Sequence, residues 1–226
     1  MANRYFKSSR LSDDQFRQLN RLFSLDLEAT KIAQIMGVHR TTIDRHLLAI
    51  RVRIADECDR AAPFKGVVEI DESYFGARRV RGKRGRGAGR KVPVIGVFKR
   101  SGKVFTDILE DCSREALEAV IKGKVAYESI VHTDGWKGYD GLIDIGYKRH
   151  FRVHHSKDEF ARGPNHINGI ESFWSYAKTR LSKHRGLSRR LFYLYIKETE
   201  FRFNHRHQNL HRLLLKLYRQ QPLSFQ

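Results

Sequence analysis

The sequence predicts an α/β protein: a mixed sheet flanked by helices, preceded by a small all-α domain. Three observations carry this. Apolar residues recur at helical spacing between residues 12 and 50. Short apolar runs of strand length follow, and two of them, Val67-Val68-Glu69-Ile70-Asp71 and Ile130-Val131-His132-Thr133-Asp134, close on an aspartate. Helical periodicity then returns beyond residue 168 and carries Glu171.

At 226 residues the chain is long enough for one full core and a small appended module, and its hydrophobic content of 40% argues for a folded protein. Lys and Arg number 44 against 25 Asp and Glu, a net charge of +19 and a pI of about 10.2. A chain this basic seeks a polyanion. The charge is uneven, +3 over residues 1–62 and +16 beyond. Only Cys58 and Cys112 are present, with no CxxC, which excludes a disulfide framework and a cysteine zinc ribbon. No run approaches the roughly 20 apolar residues of a membrane span, and the first residues do not read as a signal peptide, so the cytoplasm is the expected compartment.

Residues 1–51 are expected to form a helix-turn-helix DNA-binding domain. Ser12 and Gln15 make a capping box for a helix reaching about Leu25 and burying Phe16, Leu19 and Phe23. A second short helix over residues 29–36 carries Ile32 and Ile35. Gly37 turns the chain into a third helix over residues 40–50, with Ile43, Leu47 and Ile50 inward. Ala33, Gly37 and Ile43 have helix-turn-helix spacing, which places Arg40, Thr41, Thr42 and Arg45 at a DNA groove. A three-helix bundle used for protein contacts would share the pattern. Residues 52–65 read as a linker, and 66–226 as the catalytic domain with C-terminal helices.

Within that domain, strands are expected over 67–71, 92–99, 103–109, 129–134 and 147–154, with a helix capped by Ser113 after the third. Three strands, a helix, then two more strands and helices is the order of a ribonuclease-H-like sheet. Residues 76–91 hold eight basic residues, five glycines and no acid. Arg78, Arg79, Arg81, Lys83, Arg84, Arg86, Arg90 and Lys91 would contact phosphates, the bland alternative being a solvated hairpin tip. On the later helix, Ile170, Phe173, Trp174, Ala177 and Leu181 form an inward stripe, and Glu171, Ser175, Lys178 and Ser182 a polar one.

Asp71, Asp134 and Glu171 are the candidate catalytic and metal-binding residues, since hard oxygen ligands suit two Mg²⁺ or Mn²⁺ ions. Two competing readings stand beside them. Asn168 and Glu171 also fit a capping box, and Glu69, with the strand parity of Asp71, is the acid most easily mistaken for a ligand. A Glu69→Gln change is accordingly expected to be tolerated. His155, His166, Asn168, Lys178 and Arg180 are further candidates for DNA contact. Glu198–Arg202 and Glu200–Asn204 read as ordinary helical pairs.

The segments VEIDESYFGARR, HTDGWKGYDGL, and HHSKDEFARGPNHINGIESFWSYAKTRLSKHRGL through KETEFRFNHR resemble the DDE transposases of short bacterial insertion sequences, the Merlin-related group with an ISXO2-like transposase domain. The resemblance spans roughly residues 64–210 and places the family's triad on Asp71, Asp134 and Glu171. It implies metal-dependent cleavage of double-stranded DNA at the element's inverted repeats and transfer of the 3′-hydroxyl to target DNA, by a homodimer or larger assembly. The alternatives are a ribonuclease-H-like nuclease without strand transfer and a non-catalytic, transposase-derived DNA-binding regulator.

Overall fold

A computed structural model describes residues 3–76, 91–134, 146–147, 149–153, 166–184 and 187–225. The chain divides into two compact units, one formed by residues up to Asp59 with those from His205 onward, the other by Arg60–Asn204. The boundary differs from the expected one at both ends of the chain.

In the helical unit, α1 (Asp13–Ser24) starts at the Ser12–Gln15 capping box and buries Phe16, Leu19 and Phe23 as expected. In α2 (Ala29–Met36) only Ile32 is buried; Ile35, in the last turn, is 54% exposed. Gly37 takes the left-handed conformation, φ +61°, that ends α2. The third helix, α3 (Arg40–Asp59), runs nine residues past its expected end. Its inward stripe simply continues through Ile43, Leu47, Ile50, Ile54 and Cys58, with no breaker before Pro63, so residues 52–59 are helix and not linker.

The unit is closed from the far end of the sequence. The last helix, α7 (Leu210–Gln220), packs on α1 and buries Leu214 and Tyr218, and Phe6 forms a parallel bridge with Leu223. Tyr5, Phe6 and Tyr218 gather around Phe16 with ring centroids 5.8–5.9 Å away. Residues from 205 onward, expected with the catalytic domain, thus complete the helical unit.

The α/β unit is built on a five-stranded sheet in the order β3-β2-β1-β4-β5. Its strands are β1 (Val67–Phe75), β2 (Val92–Lys99), β3 (Lys103–Ile108), β4 (Ile130–Asp134) and β5 (Arg149–Val153). The first three are antiparallel meander strands, while β4 and β5 join in parallel beyond β1. This mixed sheet flanked by helices is the ribonuclease-H-like arrangement. Alternation along the strands sends Val68, Ile70, Ile95 and Val97 toward α4 (Arg114–Lys124), and Val94 and Phe98 toward α5 (Asn168–Leu181) and α6 (Arg189–Asn204).

One edge of the sheet is closed by side chains. The Asn204 amide accepts from the Val104 N–H at 2.7 Å and donates back to its carbonyl at 2.8 Å, copying a neighbouring strand. Glu200 Oε2 accepts from the Thr106 N–H and hydroxyl, at 2.8 and 2.7 Å. Glu200 and Asn204 are therefore partners of β3 and not of each other, and Glu198, fully buried, pairs with Arg180 as well as Arg202. Burying an edge strand under α6 leaves its amides no water, and these side chains replace it.

Candidate active site

Asp71 does not end a strand. It is the fifth residue of nine in β1, which continues to Phe75 paired with β2. What ends there is the parallel pairing: Val67 to Ile70 match Ile130 to Thr133, and β4 stops at Asp134. One register step further would oppose Asp71 to Asp134. The two aspartates therefore stand side by side at a fork, where β1 goes on with β2 alone, and they share the α5 face of the sheet. Glu72, next along the strand, points to the opposite face.

Burial, chiefly, and then the charges of Glu72 and Asp134 push the Asp71 carboxyl up to about 7. The Trp174 indole N–H donates to its Oδ2 at 3.1 Å. That contact depends on Gly96, the residue paired with Asp71 across β1 and β2. A Cβ at Gly96 would come within 2.6 Å of the Trp174 ring and 2.7 Å of Ile170, so glycine is what lets α5 lie this close to the sheet.

Glu171 sits on the exposed face of α5, one turn before Trp174. The capping-box alternative for it falls away: the helix begins at Asn168, its N-cap is Ile167, and no side-chain cap bond is made there. The cap comes instead from the sheet. Glu69, fully buried, accepts from the N–H groups of Gly169 and Ile170, at 2.8 and 3.0 Å, and from Arg100 Nε at 2.9 Å.

Asp71 and Asp134 fit a hard divalent cation: both are oxygen donors, and the burial and neighbouring acids that raise the Asp71 carboxyl disfavour an unpaired carboxylate there, which a bound cation would relieve. Among the described residues, no three His, Cys, Asp or Glu side chains gather closely enough to hold a metal ion. Glu171, one turn before Trp174 on α5, does not complete such a cluster with the two aspartates.

The expected DNA-binding residues fare unequally. Lys178 is exposed on the polar face of α5, and Asn168 is exposed at its start. Arg180 is not available to phosphate. It is buried, bonded to Glu198 and, at 2.7 Å, to Thr199, because its position falls on the inward stripe beside Ala177 and Leu181. His166 points Nδ1 at Glu69, 3.5 Å away, and its carbonyl accepts from Arg100. Arg40, Thr41 and Arg45 are exposed on α3 and Thr42 is half-buried; Arg45 lies 4.3 Å over the Phe225 ring. Lys91 is half-buried just before β2, while Arg78 to Arg90 and His155 lie outside the described residues.

Sequence reasoning missed the Trp174 donor, the Glu69 cap and the Gly96 approach. A signal existed for the last one: a lone glycine inside the apolar strand β2 marks close contact with a packed element.

Residues 63–204 match the model of the ISXO2-like transposase domain. A transposase-like protein of Haemophilus influenzae is 42% identical over 102 residues, covering 45% of this chain and 81% of its own length. A protein in transposable element ISH50 of Halobacterium salinarum is 30% identical over 154 residues, 61% of this chain and 52% of its own. This chain therefore spans about half the length of the Halobacterium relative. Distant likenesses include the catalytic core domain of BIV integrase, at 11% identity and a TM-score of 0.40 over 68% of this chain and 95% of that one. Mos1 transposase in a paired-end complex with its left transposon end has a TM-score of 0.35 at 12% identity, over 96% and 81%. The assignment rests on the domain match, which covers most of the chain and both aspartates: this protein belongs to the ISXO2-like transposase family.

Proposed function

We propose that the protein is the transposase of an insertion sequence, cutting DNA at the element's inverted-repeat ends and transferring the exposed 3′-hydroxyl to target DNA. The observation that carries this is the nearness of Asp71 and Asp134 at the strand fork, one step beyond the last parallel pair, with Asp71 held by Trp174. In the first step water attacks a phosphodiester at the element's end, and the leaving 3′ oxygen takes up a proton. In the second, that hydroxyl attacks a target phosphodiester in line, forming one P–O bond as another breaks. Mg²⁺ or Mn²⁺, two ions held by Asp71, Asp134 and Glu171, would supply charge neutralisation at the attacking and leaving oxygens.

The chain's own residues supply orientation and grip. Trp174 and the rigid sheet fix the Asp71 oxygens, so little reorganisation is needed at the moment of reaction. Lys178 on α5 and the basic residues from Arg78 to Lys91 meet backbone phosphates, and Arg40, Thr41, Thr42 and Arg45 read the terminal repeat. Two ends must be joined at once, which calls for a homodimer or larger assembly working on DNA in the cytoplasm. Among the described residues no helix is long and apolar enough to cross a membrane.

The test is strand transfer from a pre-cut repeat end with a free 3′-hydroxyl. The wild-type chain should join it to target DNA. Asp134→Asn should lower the rate by orders of magnitude, roughly a thousandfold or more, while DNA binding stays within about twofold. Hydrolysis without joining would mean a nuclease, and binding without either reaction a regulator.

A further inference from the structure

The buried acid of β1 has a task beyond packing. Glu69 Oε2 accepts from Gly169 and Ile170, the two amides immediately before Glu171. Two residues along the same strand, on the same face, stands Asp71. One side chain thus ties the backbone next to one proposed ligand to the backbone next to another. The tie is tight on every side. A Cβ at Gly169 would collide with the Phe98 ring and come within 2.8 Å of Glu69 Oε2, so the helix start is pressed against the sheet at this point. Arg100 grips both partners, donating from Nε to Glu69 at 2.9 Å and from its terminal nitrogen to the His166 carbonyl at 2.7 Å, just ahead of α5. A carboxylate at a helix N-terminus also meets the positive end of the helix dipole, which favours this seat over sliding.

We propose that Glu69 is a positioning residue, whose grip on the first turn of α5 sets where Glu171 stands relative to Asp71 and Asp134. The proposal rests on the reading of Glu171 as a ligand. It reverses the expectation that Glu69→Gln is a neutral change. Glutamine keeps one acceptor oxygen but brings an NH₂ that must face either the Arg100 Nε–H or the Gly169 and Ile170 N–H groups, so at least one contact turns repulsive.

The experiment is a double-mutant cycle on the full chain, read by Mn²⁺ binding and by strand-transfer kcat and KM. Glu69→Gln should weaken Mn²⁺ binding by about tenfold or more, the usual scale for partners that orient a metal ligand, and lower kcat with KM for DNA nearly unchanged. In the Glu171→Gln background, adding Glu69→Gln should change Mn²⁺ affinity less than about twofold, because the side chain it positions is already gone. A full-sized effect in that background would overturn the proposal, as would an unchanged Mn²⁺ affinity in Glu69→Gln alone. If Glu171→Gln itself leaves Mn²⁺ affinity and strand transfer at wild-type values, the underlying reading of Glu171 fails. Should Glu69→Gln not fold, Arg100→Gln enters the same cycle, with a smaller loss expected in the same direction.

Discussion

The two units of this protein are held together by opposite means. The helical unit has an aromatic centre, Tyr5, Phe6, Phe16 and Tyr218, and its few buried polar groups are Asn20, His46 and Arg53. The α/β unit buries Glu69, Glu72, Arg180, Lys197, Glu198, Glu200 and Arg202, and all of these but Glu72 lie beneath or beside α5 and α6. Nonpolar packing is forgiving of direction, whereas each buried charge needs its partner in one place. The charges cluster where the helices must be seated accurately on the sheet, which is where the candidate site lies. The contrast suggests that the α/β unit trades tolerance for registration.

The sharpest way to break this comparison is Arg180→Met, which takes the Arg180 guanidinium away from the buried Glu198 carboxylate. The loss should be about 3–5 kcal/mol, and amide exchange should quicken in α5 and α6 while the helical unit keeps its protection. An unchanged midpoint in urea would mean the network is ornamental. Gly96→Ala comes next, forcing a methyl into Trp174 and Ile170 for about 1–3 kcal/mol. Strand transfer should fall further than stability explains, because Trp174 is levered off Asp71; a purely proportional loss would remove the indole from the site. The smallest effect concerns acid. His46 donates from Nδ1 to the Thr42 carbonyl at 2.7 Å and meets the Ser9 hydroxyl through Nε2 at 2.9 Å, and burial, chiefly, holds its pKa below the ordinary 6.5. Because the folded value is lowered, its stability contribution is present above about 6.5 and is lost as pH falls. Exchange protection in α3 should weaken between pH 7.5 and 5.5, and equal protection at both would show that the ring titrates freely.

Much of this was legible beforehand, and the residues say why. Elements decided by local pattern came through: the Ser12 capping box, β2, and the inward stripe of α5 all follow from neighbours in sequence. Asp71 and Asp134 were legible as acids closing apolar runs, although only the register revealed that a fork in the sheet brings them together. What failed depended on distant partners. Arg180 looked like a phosphate ligand until Glu198, on another helix, claimed it. Glu69 looked idle because its partners, Gly169 and Ile170, lie a hundred residues away. The helical unit was cut short at residue 51 because nothing local ties Phe6 to Leu223. Its charge shifts accordingly: with residues from 205 onward included it holds 14 basic and 8 acidic residues, against 30 and 17 in the α/β unit. A truncation removing residues 1–60 alone would take away Phe16, which packs on Tyr218 of α7.

The bridge between Phe6 and Leu223 also fixes an order of events during synthesis. A ribosome that has finished α3 has made only part of the helical unit, and residues 60–204 must all emerge before α7 can fill the gap around Phe16. In a nascent or interrupted chain, Tyr5, Phe6 and Phe16 face water, a sticky surface open to chaperones and proteases. The unit expected to read the element's ends is therefore completed only after the unit expected to cut them has been made.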